Sequence, residues 1–524
     1  MLFNKKKTKE TKPAKKGDTR AEKQRQLREN RISIIMENTG WRRDRVVEEL
    51  DAAKEMGISS KVYTSCRGYE WSQKELEALS KEIEYTRMIA SAMDEKHLEK
   101  IEKALGIERE AAEEKLALYK STRATKGQFM NNKAYLMNEE ELEQFKEHIK
   151  ERKAIKKQIN ALPFEEITEE LKAQYLDSNQ DYAKKRIKKA AESYLELKNP
   201  EDMKKLYEDL DFCNFYYGMP YKYYFLYSFI NKTHEQRDEF LNNEQMWRFV
   251  RMLNGVRAYL MGRNNYLACI NMKEFFKREV VVAGGGDNRS RLLKFAEEHP
   301  VFVYKPYTGG SAGDKIRIIR TEDYKDADEM AEDVIKDYYY YLEEYIEADE
   351  RMAALNPSSL NTVKVITYKD EESNISIYKS LLSVGRAGGK VDSFSVNGLL
   401  AGVDPVSGKV ITTAKNEENE VYAIHPDTGK ELTGFEIPCW KELKDTVIKA
   451  AESIKDARFV CWEMALSQDK GWLVVDVNCS PEPYLIQVCD ETGKKSEMKA
   501  LIDWENLGKK KLKSRGCWEK LGLA

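Results

Sequence analysis

Two β-rich runs near the C-terminal end, Phe459–Ala465 and Trp472–Val477, flank a turn at Ser467-Gln468-Asp469-Lys470-Gly471. A hairpin centred there sets Glu463 roughly opposite Asp476, because facing residues of paired strands share one face. Alternation then puts Asn478 on the face of Asp476, so three oxygen ligands converge on one point. Two carboxylates directly opposite each other repel. Magnesium removes that cost: it prefers oxygen and is held by one or two carboxylates plus substrate phosphates. The plainer reading is the exposed polar face of an edge hairpin. An aspartate enclosed by valines in Leu473-Val474-Val475-Asp476-Val477-Asn478 is hard to reconcile with mere surface.

A second stretch, Val301-Phe302-Val303-Tyr304-Lys305-Pro306-Tyr307-Thr308-Gly309-Gly310-Ser311-Ala312-Gly313, reads as an apolar strand, a lysine and a glycine-rich turn. Backbone N–H groups in such a turn can hold anionic oxygens, and the lysine adds a point charge. Here the lysine precedes the glycines and no helix start follows, so this is not the common phosphate loop. Taken alone it also fits a hairpin turn with an exposed lysine. A third piece, Tyr341-Leu342-Glu343-Glu344-Tyr345-Ile346-Glu347, sets acidic residues beside an apolar strand end. Such an edge can pair with a purine through backbone groups, cover its face and accept ribose hydroxyls. An ordinary helix-to-strand junction would look the same in isolation.

The rest of the chain bounds the class. At 524 residues there is room for two to four domains. Hydrophobic residues at 41%, with 8 Trp and 29 Tyr, exclude a wholly disordered chain. With 88 basic against 90 acidic residues, the basic excess of a nucleic-acid binder is missing. No apolar run is long enough for a membrane span, and no basic-then-apolar leader opens the sequence, which reads as cytoplasmic. The 8 cysteines form no Cys-x-x-Cys pair, so neither a zinc site nor a disulfide framework is suggested.

Residues 1–30 carry 11 basic and 4 acidic residues and read as a solvated, disordered tail. Met1-Leu2-Phe3 ahead of the lysines offers at most weak contact with an anionic membrane surface. Residues 31–199 show helical periodicity. Ala53–Ile58 and Glu102–Ile107 look like helix ends capped by glycine, and suggest degenerate helical repeats. Ser72-x-x-Glu75 and Asn138-x-x-Glu141 have the form of N-terminal capping signals. This helical region shows no chemistry of its own and leaves room for a protein partner. An aromatic-rich lead-in begins at residue 200 and is expected to pack as a helical core on the next domain. From about Glu279, β-rich runs at 301–304, 341–346, 362–368, 375–384, 410–413, 459–465 and 472–477 alternate in part with helical stretches at 290–298, 326–338 and 441–455. That order predicts an α+β fold with largely antiparallel sheets, and residues 501–524 read as a C-terminal helical tail.

Lysine–glycine loop, acidic hinge and carboxylate hairpin, in that order, resemble the ATP-grasp fold. Leu355-Asn356-Pro357-Ser358-Ser359-Leu360-Asn361-Thr362-Val363-Lys364-Val365-Ile366-Thr367 resembles the "Asn-Thr-x-Arg-x-x-Thr" strand of the sugar-transfer-associated ATP-grasp family. Gly388-Gly389-Lys390-Val391-Asp392-Ser393 and His425-Pro426-Asp427-Thr428-Gly429, then Gly434 and Ile437-Pro438-x-Trp440, continue the likeness over roughly residues 205–500. The resemblance implies two α+β subdomains with antiparallel sheets holding ATP and Mg2+ between them, preceded here by an all-α region. It implies Lys305 on the α/β-phosphates, with Gly309, Gly310, Ser311 and Gly313 closing over them. It assigns Glu343, Glu344 and Ile346 to adenine and ribose, and Glu463, Asp476 and Asn478 to magnesium. It makes Lys305, Lys364, Arg386 and Asp392 the catalytic candidates, with Arg386 and Asp392 where the family places residues facing the reacting substrate. Three departures stand out: Asn264-Asn265 replaces an Asp-Lys pair, Lys364 replaces an arginine, and the acidic ligands run Glu then Asp. Lys273 and Arg263 are candidates to replace the missing lysine.

The resemblance implies an ATP- and Mg2+-dependent ligase joining a carboxylate to an amine, either small molecules or glycan-linked, in cell-surface polysaccharide modification. A phosphotransferase acting on a sugar or alcohol, or a non-catalytic nucleotide-binding scaffold, remains open at this point.

Overall fold

The computed structural model describes residues 20–178, 185, 188, 200–284, 288–306, 316–335, 339–386, 388–454 and 456–502. The chain divides into two compact units, described over 20–88 and 89–502. The first unit is all helix, with Arg20–Thr39, Arg43–Glu55 and Ser60–Ser65 preceding the long helix Gln73–Leu105. Its local signals behave as the sequence suggests. Gly57 ends the second helix at φ +79°, and the Ile58 amide reaches back to the Ala53 carbonyl at 2.9 Å. Ser72 and Glu75 cap each other, the Ser72 amide donating to Glu75 Oε2 at 2.8 Å.

The second unit opens with helices of the same kind. Gly106 ends the long helix at φ +64°, and Asn138 with Glu141 forms a reciprocal capping box on Glu139–Ile159. The aromatic-rich stretch then forms helices including Pro200–Tyr216, Tyr221–Leu226 and Asn243–Leu253.

Two antiparallel sheets follow. The smaller contains β1 (Val280–Gly284), β2 (Val301–Pro306), β3 (Arg317–Arg320) and β4 (Tyr339–Glu344), in the order β1-β4-β2-β3. Helices Asn288–Glu298 and Ala327–Val334 cover it, and Leu292, Phe295, Met330 and Val334 join Phe302, Tyr304, Tyr340 and Leu342 in one core. The larger contains β5 (Thr362–Lys369), β6 (Ile375–Val384), β7 (Leu399–Val403), β8 (Ala414–Lys415), β9 (Val421–Tyr422), β10 (Phe459–Ser467) and β11 (Gly471–Asn478). Their order is β11-β10-β5-β6-β7-β8-β9. Helix Trp440–Ser453 lies against β5, β6, β10 and β11. It buries Trp440, Leu443, Val447, Ala450 and Ala451, the spacing of a single helical stripe.

The aromatic lead-in packs on the large sheet, as its composition suggests. Tyr223, Tyr227, Phe229 and Phe249 share a core with Ile366, Leu381, Leu400, Phe459 and Cys461. Asn254, at the end of helix Asn243–Leu253, fastens the two together. Its amide nitrogen donates to the carbonyls of Phe459 (2.7 Å) and Cys479 (2.8 Å), while its oxygen accepts from the amides of Arg458 (2.8 Å) and Phe459 (2.9 Å). A buried side chain with all four bonds made holds the ends of β10 and β11 to the helices.

Some expected elements differ. The β-branched run 410–413 makes an isolated bridge, Val403 to Val410, rather than a strand of its own. Its amides go instead to Phe435 and Gly402 carbonyls, in a region built from turns. Strands β1, β3, β7, β8 and β9 were not foreseen. Each is two to five residues long, too short to show a clear alternation in the sequence. Residues 20–30, expected as part of a disordered basic tail, instead open the helix Arg20–Thr39, whose Ile32 and Ile35 are buried; residues 1–19 and those after 502 lie outside the described residues.

Replacing Asn254 with Ala would leave four backbone groups, three of them buried, without their partner. We expect the chain to lose about 3 kcal/mol or more of unfolding free energy, measured by urea denaturation. A loss under about 1 kcal/mol would show that water or rearranged backbone takes over those bonds.

Candidate functional site

The hairpin of β10 and β11 forms with Glu463 directly paired with Asp476, and a bulge follows at Glu463/Met464. On its other side β10 pairs with β5, which sets Glu463 opposite Lys364. A row of three charged side chains therefore crosses three neighbouring strands: Lys364, Glu463, Asp476. The Lys364 ammonium donates to Glu463 Oε1 at 2.5 Å. Burial works against its charge, but Glu463 and Asp392 outweigh burial and raise the Lys364 pKa. Asp476 has no such cation beside it. Burial first, then the facing Glu463, push its pKa from 3.8 to about 6, with Lys305 offsetting only part. Asn478 ends the strand, its Oδ1 accepting the Ser480 amide at 2.9 Å.

Asp392 reaches the same neighbourhood from the loop after β6. Its carboxylate accepts from the Thr362 amide (2.9 Å) and hydroxyl (2.5 Å), fixing the start of β5. Burial raises its pKa, and the nearby Lys364 opposes that rise.

The small sheet supplies the other wall. Lys305 on β2 donates to Glu343 Oε2 on β4 at 2.8 Å. Arg278 joins them, with Nε at 3.2 Å and Nη2 at 2.9 Å from the same oxygen. Burial alone would raise the Glu343 pKa, but the two cations hold it down to about 2, so the carboxylate is ionised. Its Oε1 is buried with no hydrogen-bond partner among the described residues. Glu344 is engaged differently, accepting from the Lys470 ammonium and from the Glu279 amide (3.1 Å).

These walls enclose a cleft of about 1130 Å³. Lys305, Glu343, Glu344, Ile346, Lys364, Asp392, Glu463, Asp476 and Asn478 all line it, so one cavity gathers nine of the residues singled out in the sequence. Gly309, Gly310, Ser311 and Gly313 lie outside the described residues. Arg386 is not among the lining residues. It is bound by Asp427 at 2.7 Å and sits over the Tyr422 ring. Beside it, buried His425 accepts from the Asp427 and Thr428 amides at Nδ1 (3.3 Å each), which puts its proton on Nε2, 2.8 Å from the Gly385 carbonyl oxygen. The His-Pro-Asp-Thr-Gly motif thus braces a loop rather than facing the cleft.

The missing-lysine question also has a structural answer. Asn264 caps helix Asn265–Asn271, accepting the Leu267 amide at 2.9 Å, and its oxygen also receives the Tyr341 hydroxyl at 3.0 Å. Of the two candidate replacements, Arg263 lines the cleft, while Lys273 is exposed and does not. Sequence reasoning missed Arg278 altogether. In Lys277-Arg278-Glu279 it looks like one charge in a solvated run, and no local signal separates it from its neighbours.

Two antiparallel sheets with helices, enclosing a cleft lined by a strand lysine and a carboxylate hairpin, make this an ATP-grasp fold preceded by an all-helical region. Residues 269–502 match the model of the family described as sugar-transfer associated ATP-grasp. Among solved structures, the ATP-grasp ligase PsnB complexed with a minimal precursor is 16% identical, with a TM-score of 0.29, over 48% of this chain and 63% of that one. N5-carboxyaminoimidazole synthase from Aspergillus clavatus, in complex with ADP and 5-aminoimidazole ribonucleotide, is 13% identical, with a TM-score of 0.31, over 48% and 54%. N5-carboxyaminoimidazole synthetase from Staphylococcus aureus complexed with ADP is 13% identical, with a TM-score of 0.31, over 50% and 58%. The chain therefore spans less than two thirds of these proteins' lengths. No curated protein matches it. No helix among the described residues is long and apolar enough to cross a membrane.

The Asp476 pKa has a testable consequence. The folded chain keeps this proton to about pH 6, whereas the unfolded chain releases it near 3.8, so between those limits the folded state binds more protons. Stability must then fall as pH rises across that window. In chelator, Asp476→Asn should match the wild type near pH 4 and exceed it by a few kcal/mol at pH 7.5, at about 1.4 kcal/mol per pKa unit. Urea unfolding at both pH values measures this, and a difference independent of pH would contradict the assignment.

Proposed function

We propose that the chain is an ATP- and Mg2+-dependent ligase that joins a carboxylate to an amine through an acyl phosphate. One observation carries the reading: paired Glu463 and Asp476 share a single cleft with Lys305 and the Glu344–Ile346 hinge. The donor set fits magnesium. Glu463, Asp476 and Asn478 present hard oxygen atoms, and the Asp476 pKa, raised by burial first and by the facing Glu463 second, marks a charge that a divalent cation would stabilise. Such a cation would supply positive charge to the phosphates during transfer.

The chain's own residues do the rest. The hinge of Glu344, Tyr345 and Ile346 covers a purine and offers backbone groups to its edge. Lys305 brings a point charge to the phosphates. Lys364 stays charged in its buried row and stabilises negative charge that develops beside it. Asp392 acts as a positioning residue, through Thr362, for the strand that carries Lys364. A cleft of about 1130 Å³ exceeds the roughly 300–1000 Å³ of ordinary small-ligand sites, which leaves space for an acceptor beside the nucleotide. The acceptor is a carboxylate, free or glycan-linked. The family's description supports a setting in polysaccharide modification, and the need for ATP supports the cytoplasm.

The test uses hydroxylamine as the amine, with ATP, Mg2+ and a panel of sugar acids and amino acids. Hydroxamate and ADP should form together. Lys305→Ala and Asp476→Asn should each lower the rate by about two to three orders of magnitude. A stable phosphorylated sugar or alcohol without hydroxamate would replace the ligase by a phosphotransferase. ATP binding without turnover on any acceptor would replace it by a scaffold.

A further inference from the structure

Arg278 is the most fully buried cation in the cleft region, with 1% of its side chain exposed. It lies on no strand, yet it touches both sheets. Two of its nitrogens donate to Glu343 on β4, as described above. Nη1 donates to the Val474 carbonyl (2.5 Å) and Nη2 to the Val475 carbonyl (2.8 Å), both on β11 immediately before Asp476. Nη1 also lies 3.4 Å from the Phe276 carbonyl. The planar fork of a guanidinium directs five donors at fixed angles and here binds a carboxylate and two strand carbonyls together, whereas a lysine offers a point charge with three donors.

We infer that Arg278 is a positioning residue that frees Lys305 for the phosphates of a nucleotide, by serving as the permanent counter-ion of Glu343. This rests on the nucleotide reading above and adds to it a division of labour between two cations. Lys305 is shared between Glu343 and any anion that enters the cleft. A buried carboxylate stripped of every cation is strongly unfavourable. With Arg278 in place, Lys305 can turn to a phosphate while Glu343 keeps a charged partner. Without Arg278, Lys305 is the remaining cation on Glu343 among its bonded neighbours, and a phosphate has to compete for it. Arg278 also ties Glu343 to the backbone beside Asp476, so the lysine end and the carboxylate end of the cleft stay in register.

The experiment measures MgADP affinity by calorimetry in the full chain, with circular dichroism and thermal melting to verify folding. Arg278→Met should weaken MgADP binding about tenfold or more. Adding Glu343→Gln should restore it to within about threefold of Glu343→Gln alone, because the neutral amide no longer holds Lys305. Loss of the β11 carbonyl bonds alone would not be rescued by a change at Glu343, so the rescue separates counter-ion from brace. Arg278→Lys, which keeps the charge and gives up the fork, should stay within about threefold of wild type. A larger loss that Glu343→Gln does not recover would assign the role to the carbonyl bonds and overturn the inference. Arg278→Gln, which keeps donors for those carbonyls but no charge, replaces Arg278→Met if that variant does not fold and should behave as it does. An Arg278→Met chain within twofold of wild type, or a folded double variant no better than the single one, overturns the inference while leaving the nucleotide reading intact. A wild-type chain that binds no MgADP overturns both.

Discussion

Glu463 and Asp476 face each other across paired strands, and the rest of the cleft is arranged around that conflict. On one side Lys364 neutralises Glu463 from the neighbouring strand. On the other, Asp476 is left with burial and a like charge, and its proton is held to about pH 6. A fold that keeps such a pair, instead of replacing one partner with an apolar residue, gives up stability in the absence of a cation. On the proposed function, a divalent cation bound between the two carboxylates offsets that cost. The small sheet repeats the pattern with opposite balance: buried Glu343 is surrounded by two cations and stays ionised.

Much of the molecule serves to hold these charges at fixed separation. The four bonds of Asn254 fasten the ends of β10 and β11 to the aromatic helices. Gly262 permits an equally close approach there, since a Cβ at that position would stand 2.6 Å from the Cys479 amide nitrogen. Arg278 binds the hinge strand to β11. The helical lead-in is therefore part of the site, although it lies before the segment matched by the family model. Tyr223, Trp247, Tyr259 and Arg263 line the cleft from that lead-in.

The site was legible where chemistry is written locally. Alternation along Leu473–Asn478 and the turn at 467–471 were enough to pair Glu463 with Asp476, because strand register follows from turn and pleat. The apolar run before Lys305 and the acidic end of Tyr341–Glu347 were legible for the same reason. Contacts between distant segments were not. Arg278 owes its role to Glu343, 65 residues away, and to carbonyls 196 and 197 residues away, and nothing in its neighbourhood announces them. The partner of Arg386 was equally illegible: Asp427, 41 residues away, binds its guanidinium outside the lining of the cleft. The short edge strands β8 and β9 escaped because two residues carry no periodicity.

The most direct measurement is a crystal structure of the chain with ADP and Mn2+, read by anomalous scattering. The account requires a manganese peak coordinated by Glu463 and Asp476, with the Lys305 ammonium on a phosphate of the bound ADP. A peak elsewhere, for instance at the cluster of exposed Glu279 and Glu298 with half-buried His299, with none between Glu463 and Asp476, would contradict it.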